Sequence, residues 1–405
     1  MIIKNKSTSY RSIWLSNATS ELGGAFFTAC NSILAYELTG SAASLGLIWL
    51  LYYIPSFFMQ LFIGPYIDRY SRKYIMIYCQ IVRMVLATLL ISSLLLDSFS
   101  ITFIYAIQII NGMIMPIFIP ANQAILPAIL EKEQLTKANA SLDSIRQIMI
   151  ISGPVLTGVF LDYLSIEWIA VMMTIAFFVS TISLTKLKEN KAKTSERRRW
   201  IDEFKEGLQT YFNHKLIVLL GVFFGFVQFG VGVTIVTTLP YITTILNQSY
   251  SAYGLFMAGF PIGYIIGALL NKKLGERIGV GKLFIALFIG GGTYISLSLT
   301  TIYGIAVLTE FLAGVVIAIF NIYNITLIQR SIPNNLLGKV TSVRLLIMRT
   351  MLPLGILFAT VTTPFLTIRM LYFIIGLIIC LSALIGYVYL NKQTIAQSSL
   401  QQQSK

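Results

Sequence analysis

Long apolar runs recur from one end of this chain to the other, and they constrain its fold more than any other feature. A bilayer core about 30 Å thick needs roughly 20 apolar residues per helix. Only 11% of the 405 residues are charged, against about 25% in soluble domains. The pattern predicts an all-α polytopic membrane protein whose twelve transmembrane helices satisfy their own backbone hydrogen bonds. The runs cover residues 12–36, 44–67, 74–96, 100–126, 142–164, 166–187, 215–245, 252–271, 281–300, 303–328, 341–363 and 368–391.

The basic residues lie almost entirely on one side of these predicted helices. Loops on that side include Arg69, Arg72 and Lys73. The only basic residue in the loops on the other side is Arg369. Cytoplasmic loops are enriched in Lys and Arg, so both termini are expected in the cytoplasm. The net charge of +14 is then a signal of membrane topology, and it predicts the lipid bilayer rather than a nucleic acid as a partner.

The longest polar stretch, residues 188–213, divides the apolar runs into two groups of six. Large apolar side chains recur in it at helical spacing beside Lys and Arg, which is typical of an amphipathic helix on a membrane surface. These side chains are Trp200, Phe204, Leu208, Tyr211 and Phe212. We predict an N-terminal six-helix bundle (1–187), a cytoplasmic linker (188–213), a C-terminal six-helix bundle (214–391) and a cytoplasmic tail (392–405).

Loops in the two groups of helices resemble each other. GPYIDRYSRK follows the second apolar run and KKLGERIGVGK follows the eighth, so that Asp68-Arg69 aligns with Glu276-Arg277. QAILP follows the fourth run and QRSIP follows the tenth. Six helices, a linker and six more helices with matching loops predict two parallel repeats, with a substrate site near mid-membrane between the halves.

The stretch GPYIDRYSRK resembles the loop signature of the major facilitator superfamily, G-x-x-x-D-R-x-x-R-[RK], at every fixed position. ELTGSAASLGL and QAILPAILEKEQLTKANA resemble the branch that holds macrolide-efflux proteins and the enterobactin exporter, the third drug:proton antiporter group. The resemblance implies the major facilitator fold and proton-coupled efflux of a bulky amphipathic compound, such as a macrolide-like drug or a siderophore. A lipid or lysolipid transporter and a proton-coupled importer remain alternatives. We expect a multi-pass monomer in the cytoplasmic membrane of a bacterium.

The signature loop is expected to act as a conformational latch. Gly64 lets its helix approach a neighbour closely, and Asp68 can accept hydrogen bonds at the positive end of a neighbouring helix. The resemblance implies that this neighbour is the eleventh helix. Arg69, Arg72 and Lys73 can pair with acids or lipid phosphates. The alternative is a basic turn that has no role in movement.

Two acids inside the predicted helices are candidates for proton coupling or substrate binding, because ionisable groups are costly there. Glu21 lies about 15 Å from Arg11 along the first helix, near mid-membrane. The alternative for Glu21 is a purely structural acid held by hydrogen bonds. Glu310 lies about 12 Å from the outer end of the tenth helix, so it can be a second protonation site or face an outer vestibule.

An inner-gate network is predicted from Arg83, Asp143 and Arg146. Asp143 and Arg146 are three residues apart on the fifth helix and can pair on one face. Arg83 can hold Asp68 and Asp143, or extend its side chain to the membrane surface.

The fifth helix also contains SGPVLTG, which resembles part of the antiporter motif through Gly153, Pro154 and Gly158. Its final Gly-Gly pair is replaced by Thr157-Gly158, and the arginine expected in the fourth helix of several drug antiporters is missing. Both departures weaken the implied antiport, so that a proton path would depend on other groups.

Polar and aromatic side chains at mid-helix depth are candidates for the lining of a substrate cavity, since such surfaces suit a bulky amphipathic ligand. Helix packing is the alternative for each of them. They are Asn17, Phe27, Asn31, Gln108, Asn111, Gln228, Asn321 and Asn324.

Other classes of membrane protein fit the sequence poorly. An ATP-driven pump needs a P-loop, but GERIGVGK has the wrong glycine spacing and Leu283 in place of the hydroxyl residue. A membrane enzyme needs clustered histidines, cysteines or acids, whereas this chain has one histidine and scattered acids. We predict no enzymatic activity, no cofactor and no metal site.

Overall fold

The computed structural model describes residues 3–62, 70–96, 98–130, 132–189, 200–274, 280–332 and 334–403. All regular structure in these ranges is helical, which confirms the all-α prediction. The helices are α1 (Ile3–Thr39), α2 (Ala42–Phe62), α3 (Arg72–Leu95), α4 (Ile101–Ile129), α5 (Lys132–Tyr163), α6 (Ile166–Thr185), α7 (Trp200–Asn213), α8 (Lys215–Pro240, followed by a π-helical turn Tyr241–Ile245), α9 (Tyr250–Leu274), α10 (Val280–Leu299), α11 (Tyr303–Ser331), α12 (Asn334–Thr362) and α13 (Ile368–Gln403).

Nine stretches in the described ranges are long and apolar enough to cross a membrane, so the chain is a multi-pass membrane protein. Two shorter apolar stretches, 283–299 and 350–362, lie in α10 and α12. The helix α1, which contains Glu21, is not among the nine. Twelve crossings and cytoplasmic termini therefore stay predictions. The nine stretches are 42–60, 72–95, 101–127, 141–163, 166–185, 217–245, 250–270, 303–329 and 368–388.

The exposed surface of the helices is apolar, as a lipid-facing surface must be. Leu269, Leu308 and Ile385 are 62%, 64% and 64% exposed. Large apolar side chains on a water-facing surface would favour aggregation. On a membrane helix they face lipid tails, which are as apolar as leucine itself.

The first compact unit, unit 1, comprises Met1–Ser195 and Asn247–Ala258. In this unit α1 packs on α5 and α6, α3 packs on α4 and α6, and α2 packs on α4. Phe26, Phe27 and Leu90 meet Ile104 and Phe177 in its hydrophobic core. The middle of α1 and the middle of α3 therefore both pack against α6.

The second compact unit, unit 2, comprises Glu196–Leu246 and Gly259–Lys405. Here α8 packs on α12 and α13, and α10 packs on α11 and α13. These contacts correspond to those in unit 1, where α1 packs on α5 and α6 as α8 does on α12 and α13. Likewise α3 packs on α4 and α6 as α10 does on α11 and α13. Two parallel repeats would produce such a match, and the predicted domain boundaries themselves stay predictions.

The predicted amphipathic segment forms α7, which belongs to unit 2 and buries Tyr211 there. Tyr211 is 1% exposed and packs against Ile217 and Ile328. Burial raises the pKa of the Tyr211 hydroxyl, and Arg344 acts in the opposite direction. Phe212 is 55% exposed, so it can face a membrane surface. The side chains of Trp200 and Phe204 lie outside the described part of the structure.

Glycines allow α8 and α12 to touch backbone to backbone in unit 2. A Cβ atom added at Gly232 would collide with the carbonyl oxygen of Leu352, and one added at Gly355 would collide with that of Phe229. Small residues at such crossings are how membrane helices gain close van der Waals contact. The crossing therefore has no room for a methyl group on either helix.

We predict that Gly232→Ala lowers the free energy of unfolding by about 1–3 kcal/mol, the usual cost of overpacking. Gly292→Ala is the matched control, because nothing lies within 4 Å of a Cβ added at Gly292. There the helix propensity of alanine should stabilise slightly, by up to about 1 kcal/mol. The measurement is thermal unfolding in detergent, followed with a thiol-reactive fluorophore that labels the buried free cysteines Cys30, Cys79 and Cys380 as they become exposed. Equal effects of the two substitutions would contradict the backbone contact.

Candidate functional site

Glu21 lies near the middle of α1, beside polar side chains of α3 and α5 in unit 1. The hydroxyl of the preceding Ser20 accepts hydrogen bonds from Gln80 Nε2 (2.6 Å) and Arg83 Nη1 (2.9 Å). Glu21 is half-buried, and the guanidinium groups of Arg146 and Arg83 attract its carboxylate. We call these five residues (Ser20, Glu21, Gln80, Arg83 and Arg146) the Glu21 site.

Arg83 is the buried cation of this site, with 3% of its surface exposed. Its guanidinium carbon lies 4.2 Å from the ring centre of Phe177 on α6, at cation–π distance. Gly24 leaves room for the guanidinium, because a Cβ there would stand 2.8 Å from Arg83 Nη2. Among the described residues, Arg83 Nε has no hydrogen-bond partner. The structure thus brings Arg83 to Glu21, while Asp68, which the sequence had offered as a partner, lies outside the described residues.

Asp143 and Arg146 are both exposed on α5. No ion pair joins the two in the part of the chain that the structure describes. Arg146 instead attracts the Glu21 carboxylate. Two of the three proposed inner-gate residues, Arg83 and Arg146, therefore lie within electrostatic range of Glu21, although neither forms an ion pair with it among the described residues. Asp143 is not among the groups that act on Glu21.

Asn17, one helical turn before Glu21, joins α1 to α4. Its amide exchanges two hydrogen bonds with that of Asn122: Asn17 Nδ2 donates to Asn122 Oδ1 (3.0 Å), and Asn122 Nδ2 donates to Asn17 Oδ1 (2.6 Å). Asn17 Nδ2 also donates to the carbonyl of Ile13 (2.8 Å). These bonds make Asn17 a link between helices in this structure.

The other cavity candidates of unit 1 are buried. Phe27 is 1% exposed and meets Phe177 edge-on, with 6.4 Å between ring centres, so it belongs to the hydrophobic core. Gln108 and Asn111 are 4% and 7% exposed. Neither amide atom of Asn31 has a hydrogen-bond partner within the described ranges. A buried amide without partners is costly, so Asn31 marks a polar point in the core of unit 1.

Glu310 lies on α11 in unit 2 among tyrosines. Its carboxylate acts electrostatically on the hydroxyls of Tyr294 and Tyr372, whose ring centres are 6.4 Å apart. Tyr241 stacks edge-on with Tyr372 at 5.1 Å and donates a hydrogen bond to the Leu297 carbonyl (2.8 Å). No cationic side chain of the described residues acts on Glu310. Glu310 and Glu21 therefore differ in the property that decides how a membrane carboxyl behaves, the presence of a partner of opposite charge.

The remaining cavity candidates lie in unit 2. Asn321 Nδ2 donates to the hydroxyl of Tyr264 on α9 (3.0 Å). Asn324 is fully buried, and neither of its amide atoms has a partner in the described part of the chain. Gln228 is half-buried on α8. The structure thus ties Asn321 to a neighbouring helix. Asn324, like Asn31 in unit 1, has no hydrogen-bond partner among the described residues.

The signature loop is described only at its end, since Gly64, Asp68 and Arg69 lie outside the described residues. At that end Glu189 caps α3: its carboxylate accepts hydrogen bonds from the Ser71 hydroxyl and from the backbone N–H groups of Arg72 and Lys73, the latter two at 3.1 Å. Arg72 Nη1 lies 4.0 Å from the same carboxylate. A carboxylate at a helix N-terminus satisfies unpaired N–H groups and the helix dipole.

Lys73 makes the reciprocal contact at the end of α6. Its Nζ donates to the carbonyls of Thr185 and Leu187, both at 2.7 Å. A cation at a helix C-terminus satisfies carbonyls that the helix leaves free. The start of α3 and the end of α6 are thus fastened to each other by Glu189 and Lys73.

The antiporter-like motif on α5 forms close backbone contacts within unit 1. A Cβ added at Gly158 would collide with the carbonyl oxygen of Tyr250, and one at Gly254 would collide with that of Pro154. Gly153 faces the Cβ atom of Ala25 on α1. The motif therefore supplies small residues where helix backbones meet.

Two acids fasten the start of α9 within unit 1. The hydroxyl of Tyr250 donates to Glu37 Oε1 (2.7 Å), and the backbone N–H of Ser251 donates to Asp162 Oδ2 (3.2 Å). Asp162 lies at the N-terminus of α9, where an anion is favoured.

Sequence reasoning missed several of these partners. Gln80 precedes Arg83 by three residues, so helical spacing could have placed both on one face of α3. Glu189 is the first acid after α6, but only the packing of α3 on α6 shows what it caps. Nothing in the sequence points to Tyr294 or Tyr372 as neighbours of Glu310.

We predict that Glu189→Gln lowers the free energy of unfolding by about 1 kcal/mol, because it removes the charge at the start of α3. Lys188→Gln is the control, since the Lys188 side chain is exposed and only its backbone N–H is bonded, to Ser9 Oγ at 3.3 Å. Thermal unfolding of both variants in detergent tests this. A loss no larger for Glu189→Gln than for Lys188→Gln would show that the cap does not stabilise the fold.

Known proteins resemble this chain along most of its length. The model of the Major Facilitator Superfamily matches residues 13–240 and again residues 221–403. Macrolide efflux protein A of Streptococcus pyogenes is 23% identical over 399 residues, which cover 93% of this chain and 95% of that protein. The Staphyloferrin A transporter of Staphylococcus aureus is 23% identical, with 86% and 88% covered. The enterobactin exporter EntS of Citrobacter koseri is 24% identical, with 76% and 70% covered.

Solved structures share the fold at lower sequence identity. The crystal structure of the nucleoside transporter NupG superposes with a TM-score of 0.72 at 14% identity, covering 95% of this chain and 99% of that chain. The inward-facing crystal structure of a bacterial homologue of the iron transporter ferroportin gives 0.72 at 14% identity, with 96% and 99% covered. At such identities the likeness shows the fold alone.

Proposed function

Because the chain belongs to the Major Facilitator Superfamily, we propose that it is a secondary transporter that exports a bulky amphipathic compound in exchange for protons. Three relatives that align with most of the chain are named for macrolide efflux, for enterobactin export and for staphyloferrin A transport. Two of these names specify outward movement, which supports export. The chain would act by alternating access as a monomer in a bacterial cell membrane, with both termini in the cytoplasm and without a cofactor.

The observation that carries proton coupling is the contrast between two carboxyl groups. Glu310 lies in the membrane-spanning stretch 303–329 with tyrosines as its electrostatic partners. Glu21 has two arginines instead. A carboxyl group without a cationic partner can take up and release a proton as its exposure changes, whereas nearby guanidinium groups favour the charged form of a carboxyl group. We therefore assign the exchanged proton to Glu310 first, and the proton role of Glu21 stays a prediction.

The latch in the signature loop is part of this proposal. Gly64, Asp68 and Arg69 would form its moving part, and Arg72 and Lys73 its fixed end. The bonds of Glu189 and Lys73 support the fixed end, because they hold the start of α3 to the end of α6. Asp68→Asn would then slow transport and leave ligand affinity nearly unchanged.

The proposal is tested by uptake into everted membrane vesicles that carry an inward-acid pH gradient, with a labelled macrolide, enterobactin and staphyloferrin A as candidate substrates. At least one should accumulate in a way that a protonophore abolishes. Glu310→Gln should reduce this accumulation to the level reached without a gradient, while exchange of labelled for unlabelled substrate continues. Glu167→Gln, at the first turn of α6, is the matched control and should transport like the wild type.

Four outcomes would contradict this account. Gradient-driven accumulation in Glu310→Gln equal to that of the wild type would remove Glu310 from proton exchange. Accumulation that persists with the protonophore would remove proton coupling. Uptake driven by a pH gradient in right-side-out vesicles would identify an importer, and transport of lysolipid alone would identify a lipid transporter.

A further inference from the structure

The Glu21 site carries more positive than negative charge. Arg83 and Arg146 contribute two positive charges and Glu21 one negative charge, which leaves a balance of one positive charge. Ser20 and Gln80 add only neutral groups. An unbalanced charge within a membrane protein is costly, so a site of this composition favours the entry of an anion.

Helix packing brings Arg146 to within about one helical turn of the level of Glu21 along the parallel helices α1 and α5. Trp14 Nε1 donates to Ser141 Oγ at 3.2 Å on one side of the site, and Gly153 faces Ala25 on the other. Glu21 lies between the two contacts on α1, and Arg146 lies between them on α5. The length of an arginine side chain spans the remaining offset of about one helical turn, roughly 5 Å.

Arg83 and Arg146 differ in how firmly their side chains are held and in how accessible they are to a ligand. Arg83 is buried, bonded to Ser20 and stacked on Phe177, so its position is set by the core. Its Nε has no partner among the described residues. Arg146 is exposed and Glu21 is half-buried. A ligand can therefore reach Arg146 and Glu21, with the charge of Arg83 fixed behind them.

We propose that the Glu21 site binds an anionic group of the transported compound, most favourably a carboxylate. The anion pairs with Arg146 and is stabilised further by the positive charge of Arg83. Guanidinium groups match carboxylates with two parallel hydrogen bonds. The Glu21 carboxylate lies in the field of both arginines when the site is empty, and the anion of the ligand competes with it. This inference rests on the proposed export function and names the charge class of its substrate. An ammonium group would meet two guanidinium groups for one carboxylate.

The coupling of this site to protons follows from the same charges. A proton on Glu21 frees the arginines for the anion, and the anion in turn favours the proton on Glu21, because linkage is reciprocal. Anion and proton therefore bind to the Glu21 site together. An exchange of substrate for protons then needs another proton site, and Glu310 in unit 2 is such a site.

Three probes that share one fluorophore test the charge class: dansylglycine, dansylamide and dansylcadaverine, which carry a carboxylate, no charge and an ammonium group. Their binding is measured by fluorescence on the purified full-length chain in nanodiscs, without a gradient. Dansylglycine should bind most tightly. Arg146→Gln should weaken its binding roughly tenfold or more, the scale of a charge-assisted hydrogen bond, and Arg146→Lys less. Glu21→Gln should strengthen it, since the competing carboxylate is gone.

Matched controls separate the site from general charge effects. Arg11→Gln removes an exposed arginine elsewhere on α1, and Glu167→Gln removes an acid on α6. Neither should change the affinity for dansylglycine, and thermal unfolding should show that all variants are folded.

Several results would overturn the inference: tightest binding of dansylcadaverine, loss of dansylglycine binding in Glu21→Gln, or no saturable preference for the carboxylate. Because binding is measured without a gradient, the result does not depend on export. A failed vesicle assay together with the expected order of binding would reject proton-driven export alone. Proton-driven export together with tighter binding of the cation would reject the anion site alone.

Discussion

A guanidinium group inside a membrane-spanning helix needs partners for its charge and its five N–H donors, and unit 1 is organised around that of Arg83. The hydroxyl of Ser20 and the ring of Phe177 hold it from two neighbouring helices. Gly24 makes room for it on α1. These contacts explain why α1, α3 and α6 pack together at this level, because moving any of the three would leave a buried charge without partners.

The consequence of that arrangement is functional. Once Arg83 is fixed, the carboxyl of Glu21 lies in the field of its positive charge and in that of Arg146. In the proposed anion site, Glu21 is the counter-ion that a ligand replaces. Glu310 has no such neighbour among the described residues. One transporter can in this way hold two carboxyls with different tasks, since their surroundings rather than their residue type decide what they do.

Much of the fold could be predicted from hydropathy, because each apolar run reports a helix that must satisfy its own backbone. The helix ends could not. α5 begins at Lys132 and α12 at Asn334, whereas the apolar runs begin at 142 and 341. Polar residues extend both helices at their N-terminal ends, and hydropathy does not reveal them. Helix propensity depends little on hydrophobicity.

Partners between helices were the least predictable part of the candidate site. Sequence spacing relates Asp143 to Arg146 on one helix, but the rotation and level of α1 against α5 bring Arg146 into electrostatic range of Glu21 instead. The same holds for Glu189, whose carboxylate caps a helix far away in the sequence. Most residues of the signature motif lie outside the described part of the structure. The motif therefore predicted the family but gave no information on side-chain contacts.

The central claim is that substrate and protons move in opposite directions through this chain. It is tested most directly in proteoliposomes that enclose a pH-sensitive dye, by adding on the outside a compound that the vesicle assay identifies as a substrate. Entry of the substrate should make the lumen more alkaline. Glu310→Gln should show no such change, while it still exchanges labelled substrate for unlabelled substrate loaded into the lumen beforehand. A lumen that turns acidic as the substrate enters, or that keeps its pH while the wild type transports, would contradict the account.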